Sequence, residues 1–147
     1  MGIVRAEITL ANATDLGDFR RGQIKEQEIR RTKVKALVDS GAWTMVINEA
    51  VRKKLGLEVI GNDYGRLANG KRQPLKLAGP LEVRWKDRRV LLDALVLPEG
   101  EDALLGAIPL EAMDLIIDPR GEKLIGAHGD EVLHLLYSAQ RHAPSAA

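Results

Sequence analysis

With 147 residues, 45% of them hydrophobic, the chain has the size of one typical domain and enough apolar content for a core. It has no cysteine, which excludes disulfides, thiol catalysis and thiolate metal sites, and no apolar run approaches the roughly 18 residues of a membrane span. A formal net charge of +1 argues against a partner held mainly by electrostatics, nucleic acid included.

Ile3 to Leu10 alternates apolar and polar side chains and predicts a strand; Glu28 to Val38 contains a second, with a polar connector between them. The second run ends in Ala36-Leu37-Val38-Asp39-Ser40-Gly41-Ala42, which delivers one carboxylate into a hydroxyl-and-glycine turn. Asp39 is the candidate for chemistry. An acid at the end of an apolar strand loses solvent, which raises its pKa unless donors or another charge compensate. Ser40 supplies a hydroxyl donor, and Gly41 permits the tight backbone geometry that brings main-chain N–H groups toward the carboxylate. Taken alone, the tripeptide fits an ordinary strand-ending Asx turn equally well.

Asn48 can cap a helix that runs through Leu55, with Gly56 just past its end. Asn69-Gly70, flanked by Tyr64 to Ala68 and Lys71 to Leu77, predicts a hairpin with a two-residue type I′ turn. Leu81 to Trp85 and Val90 to Val96 pair as another hairpin, joined at Lys86-Asp87-Arg88-Arg89. Ala103-Leu104-Leu105-Gly106 precedes a short helix, Pro109 to Met113, and two strands follow, Leu115 to Asp118 and Lys123 to Ile125, around Pro119-Arg120-Gly121-Glu122. Asp130 to Tyr137 carries enough apolar surface for one more short element. No repeat of fixed period interrupts this order, so residues 1–140 read as a single domain and 141–147 as a disordered tail.

A hydrophobic strand ending in Asp-Ser-Gly-Ala, then hairpins, then two apolar residues and Gly before a helix, resembles the retropepsin-like aspartic proteases from about Glu28 to Ile125. Leu105-Gly106-Ala107-Ile108-Pro109-Leu110-Glu111 and Ile116-Ile117-Asp118-Pro119 are similar to the small bacterial members of that group. The resemblance implies a mostly β fold, a closed antiparallel acid-protease β-barrel with one or two short helices. It also implies an aspartic endopeptidase, a hydrolase of peptide or protein substrates that needs neither cofactor nor metal. Peptide hydrolysis by carboxylates needs one ionised group to take a proton from water and one protonated group to polarise the carbonyl. The chain holds one such motif, so the resemblance implies a homodimer with Asp39 contributed twice across a two-fold axis. Ser40 then reaches across that axis, Gly41 faces the carboxylate with its N–H, and Leu104, Leu105 and Gly106 support the loop from below. Ala42 and the hairpin tip Leu67, Ala68, Asn69 and Gly70 take the place of substrate-binding wall and lid.

A different class of function stays open: a catalytically silent retropepsin-like module that binds an extended peptide or dimerises, with Asp39 structural. Trp43 departs from the retroviral pattern and reads as a core residue ahead of a pocket wall. Asp118 reads as a turn residue before Pro119, and Asp93 as solvent-facing on an edge strand. His128, His134 and His142 have no metal-ligand spacing and read as surface groups, and Arg30 to Lys35 reads as a solvated strand face. Met1 to Glu7 lacks a secretory h-region, so a cytoplasmic setting without membrane contact is expected.

Overall fold

The fold is given by a computed structural model that describes residues 3–67 and 69–134. Strand β1 (Arg5–Asn12) places Ala6, Ile8 and Leu10 inward and Arg5 and Glu7 in solvent, as its alternation requires. It pairs antiparallel with β2 (Arg31–Val38), whose Arg31, Lys33 and Lys35 face solvent while Ala36 and Val38 are buried.

The connector between these strands is more structured than its composition suggests. Helix α1 (Ala13–Arg20) and a 3₁₀ turn at Glu26–Glu28 fill it. The helix carries no apolar stripe, and Asp15 is its one buried residue, so periodicity gave no signal. Two polar devices hold it. Asn12 Oδ1 accepts from the Asp15 N–H at 3.0 Å, while Asn12 Nδ2 donates to the Leu55 carbonyl at 2.9 Å. Asp15 in turn receives the Arg30 guanidinium through both oxygens, at 2.8 and 2.9 Å, and the Arg30 N–H at 3.0 Å.

After the loop at residues 39–44 come β3 (Met45–Asn48) and α2 (Glu49–Leu55). Asn48 caps α2 by accepting from the Val51 N–H at 2.9 Å, and Gly56 ends it at φ 61°. Strands β4 (Glu58–Arg66), β5 (Arg72–Trp85), β6 (Arg88–Leu97) and β7 (Leu104–Leu105) follow, then α3 (Ala107–Ala112) and a separate hairpin of β8 (Leu115–Asp118) and β9 (Lys123–Gly126). With α1, the described chain has three α-helices, one beyond the expected pair, and α3 begins two residues before Pro109.

The strand order is β1-β2-β7-β3-β6-β5-β4, and β1 also pairs with β5 from Thr9↔Arg84 to Asn12↔Leu81, so the sheet closes on itself. Most pairs are antiparallel; β2–β7 and β3–β6 are parallel. Inside lie Ile8, Leu10, Ala36, Met45, Ile47, Leu81, Val83 and Leu105, all essentially inaccessible. Truncating one such leucine to alanine typically costs about 2–5 kcal/mol.

Two expectations change here. Between β4 and β5 the Leu67 N–H donates to the Lys71 carbonyl at 2.9 Å and the Gly70 N–H to the Leu67 carbonyl at 2.9 Å. That pattern is a three-residue loop with Gly70 as its left-handed bulge residue, at φ 82°, in place of a type I′ turn. Strand β6 lies between β3 and β5 over Leu95 and Val96, while at Asp93 no β3 residue pairs with it; Asp93 is half-buried against Gly79, where the β5–β6 register shifts, and does not stand fully in solvent.

Candidate active site

Asp39 stands at the mouth of the barrel where β2 ends. Its N–H donates to the carbonyl of the fully buried Leu105 at 3.0 Å, which ties the start of the loop to strand β7. The Gly41 N–H donates to Asp39 Oδ1 at 2.9 Å, and the Ala42 N–H closes the turn on the Asp39 carbonyl at 3.0 Å. Thus burial ends at Val38, and Asp39, Ser40 and Gly41 are exposed. Fixing one carboxylate oxygen leaves the other free for a ligand proton or a water.

The support beneath is backbone on backbone. Leu104 pairs with both Leu37 and Val46, bridging the strands on either side of the loop. Gly106 comes so close that a Cβ there would overlap the Thr44 carbonyl and lie 2.8 Å from that of Ala42. Ala107 and Ile108 then donate their N–H groups to the Ala42 and Trp43 carbonyls at 2.8 and 3.0 Å. Asp39, Ser40, Gly41 and Ala42 are therefore brought onto Leu104, Leu105 and Gly106, as one unit.

A cleft of about 360 Å³ opens beside Asp39 and Ser40, walled by Ile3, Val4, Leu37, Val38, Ile117, Pro119 and Glu122. Leu67, Asn69 and Gly70 lie outside these walls, and Ala68 falls outside the described residues. Sequence reading missed the wall at Ile3, Ile117 and Glu122. It is assembled by the Val38 N–H donating to the Val4 carbonyl at 2.8 Å and by the β8–β9 hairpin, contacts with no local signal. A second hollow, about 280 Å³, is bordered by Glu49, Pro74, Leu75 and Lys76. Its Glu49 is held below the usual carboxylate range, chiefly by hydrogen bonds from Arg52, and is an ion-pair partner.

Trp43 corrects the core reading: it is 76% accessible, on the loop that holds Asp39. Asp118 accepts from the Arg120 N–H at 3.1 Å, a turn role. His128 lies 2.7 Å from Asp114, whose carboxyl is held low by that contact and by the Leu133 N–H. Leu135 to Tyr137, His142 and the tail 141–147 lie outside the described residues. Among the described residues no group of three or more His, Cys, Asp or Glu is placed to hold a metal ion, and no helix is long and apolar enough to cross a membrane.

Residues 26–111 match the family described as "gag-polyprotein putative aspartyl protease", a span that includes the whole Asp39 loop and its Leu104–Gly106 support. The chain belongs to this aspartyl-protease family. Its fold is retropepsin-like. The retroviral protease-like domain of Ddi1 from Leishmania major is 18% identical, with a TM-score of 0.51 over 84% of this chain and 87% of that one. The protease of EIAV, solved with the inhibitor HBY-793, is 16% identical, with a TM-score of 0.46 over 71% of this chain and 82% of its own. No curated protein matches the sequence. The family match spans both the Asp39 loop and its Gly106 support, and the closed sheet that holds them is retropepsin-like in fold.

Proposed function

We propose that this chain is an aspartic endopeptidase that acts as a homodimer, with one Asp39 from each copy forming the reactive pair. The observation that carries this reading is the position of Asp39: a carboxylate within the family-matched span, on a loop pinned to β7 and α3, exposed at the surface, with the Gly41 N–H as its hydrogen-bond donor among the described residues. A lone carboxylate cannot be both base and acid, and a two-fold axis at this loop supplies the other. Water held between the pair gives its proton to the ionised Asp39 and attacks the peptide carbonyl. The protonated Asp39 donates to the carbonyl oxygen and the tetrahedral adduct collapses, with the amine leaving as it takes a proton. Gly41 fixes the carboxylate plane, and the Leu67–Lys71 hairpin tip serves as lid over an extended peptide.

The test is cleavage of a mixed peptide library by the native chain and by Asp39→Asn, followed by mixing the two. The variant loses about 10³-fold or more of the rate, in line with removal of a general acid–base group. In mixtures the rate falls with the square of the native fraction, because only native–native pairs carry two carboxylates. A rate that falls in simple proportion refutes the shared pair. A folded native dimer that binds peptides and cuts none refutes the enzyme.

A further inference from the structure

The chain is nearly neutral, with a formal net charge of +1, but the fold does not spread that charge evenly. Residues directly opposite on neighbouring strands share a face of the sheet. Lys33 of β2 stands opposite Thr9 of β1, Thr9 opposite Arg84 of β5, and Arg84 opposite Arg89 of β6. Lys33, Arg84 and Arg89 therefore share one row across four strands, about 14 Å from end to end. On the same outward face lie Arg31, opposite Ala11, and Lys35, opposite Glu7.

Carboxylates answer these five cations only in part. Glu82 contacts Arg84 and Arg89, at 3.3 Å each, and its single charge is shared between them. Glu7 reaches Lys33 at 3.9 Å with both side chains largely in solvent, a contact worth little. Arg31 and Lys35 have no ion-pair partner among the described residues. Like charges placed directly opposite, as Arg84 and Arg89 are, cost stability. The face thus holds an excess of positive charge that composition averages away.

The spacing of these cations decides what they fit. Arg31, Lys33 and Lys35 recur at every second residue, about 6.6–6.8 Å apart. An extended peptide repeats its own side chains at that interval, so acidic residues at alternate positions meet all three. A nucleic-acid strand carries one charge per about 3.4 Å of axis, twice as dense. The three rows also hold no aromatic side chain on which a base stacks.

We propose that the outward face of β2, β1, β5 and β6 is a docking surface for an extended acidic peptide segment with Asp or Glu at alternate positions. The segment lies along β2 on Arg31, Lys33 and Lys35, with Arg84 and Arg89 flanking it. This surface is separate from the Asp39 loop and does not depend on its chemistry. Complementary charge of this kind sets on-rate and register more than raw affinity, so binding is weak, fast and salt-sensitive.

The experiment is a titration of the full native chain, followed by its amide NMR shifts at about 50 mM salt. The probe is an eight-residue peptide alternating Glu and Thr; the comparison peptide carries the same four Glu in one block. The alternating peptide is expected to move the amides of Arg31 to Lys35, Arg84 and Arg89. It binds about 5-fold tighter than the blocked one, because a block turns half its carboxylates away from the face. Raising salt to about 0.5 M abolishes the shifts. Lys33→Gln with Lys35→Gln weakens the alternating peptide about 5-fold and leaves thermal stability unchanged, since both side chains stand in solvent. Equal binding of the two peptides overturns the proposal, as does an unchanged affinity in the double variant or a set of shifts centred elsewhere. A thymidine oligonucleotide of equal charge that binds the same residues more tightly than the alternating peptide also overturns it and makes the face a nucleic-acid surface. The readout is binding, so the test holds for a chain that cuts peptides and for one that does not.

Discussion

Gly106 meets the Thr44 carbonyl oxygen at a point where no side chain fits. The backbone of Gly106 is in an ordinary extended conformation, at φ −91°, so its glycine is required by contact and not by torsion. Gly106→Ala pushes the loop at residues 42–44 off β7 and α3. Because backbone must move, the expected loss is about 3 kcal/mol, at the upper end for overpacking. Urea denaturation checks it; a midpoint within error of the native one refutes the contact.

The Asp15–Arg30 pair yields a pH-dependent prediction. Arg30 holds the Asp15 carboxyl below its ordinary value, chiefly through side-chain hydrogen bonds, and Asp15 raises Arg30 in return. A lowered carboxylate contributes stability above its unfolded value of about 3.9 and loses it as pH falls through the folded value. Arg30 is half exposed, with 50% of its side chain accessible, so solvent screens the pair and the contribution is modest. Asp15→Asn is therefore expected to cost about 1–2 kcal/mol between pH 5 and 8, a gap that narrows below pH 4. Equal narrowing at high pH contradicts the assignment.

Arg88 is 5% accessible, and among the described residues its guanidinium hydrogen-bonds carbonyls and no carboxylate. Its guanidinium donates to the carbonyls of Met113 at 3.0 Å and Asp114 at 2.7 Å, where α3 ends, and to that of Gly129. Cations are favoured at helix C-termini, and only a planar fork reaches carbonyls on two segments. Arg88→Lys is expected to cost about 2–3 kcal/mol, since unpaired buried carbonyls remain. Amide exchange in residues 127–133 is expected to rise ahead of the barrel strands. Uniform exchange across the chain argues against a local clamp.

Elements whose cause is local were legible in the sequence. Asn48 and Gly56 bracket α2 because a cap and a left-handed stop act within one turn, and β1 and β2 follow from alternation. The Asp39 loop was legible for the same reason, as a run of consecutive residues. What escaped is held by distant partners. Helix α1 depends on Leu55 and Arg30, and the cleft wall at Glu122 depends on the β8–β9 hairpin, far along the chain from Asp39. Trp43 was misread because hydrophobicity favours burial and nothing local marks a side chain left in solvent. The Leu67–Lys71 loop differed by one residue because Asn-Gly fits both a two-residue turn and a bulged three-residue one.

Gly41 gives a contrast with Gly106 that separates folding from chemistry. Its φ is outside the left-handed region, so alanine is conformationally acceptable. A Cβ there stands 3.2 Å from Asp39 Oδ1, close enough to displace the carboxylate by a few tenths of an ångström without touching backbone. Gly41→Ala is therefore expected to keep folding stability within about 0.5 kcal/mol. On the proposed protease reading, the peptide-cleavage kcat is expected to fall about 10- to 100-fold, because the two Asp39 carboxylates of the proposed dimer lose their alignment with water and carbonyl. Thermal denaturation and kcat measured on one preparation decide it. Full activity at native stability shows that the Gly41 contact does not position Asp39, whereas unfolding shows that the loop tolerates no added methyl and places Gly41 with Gly106 as a packing residue.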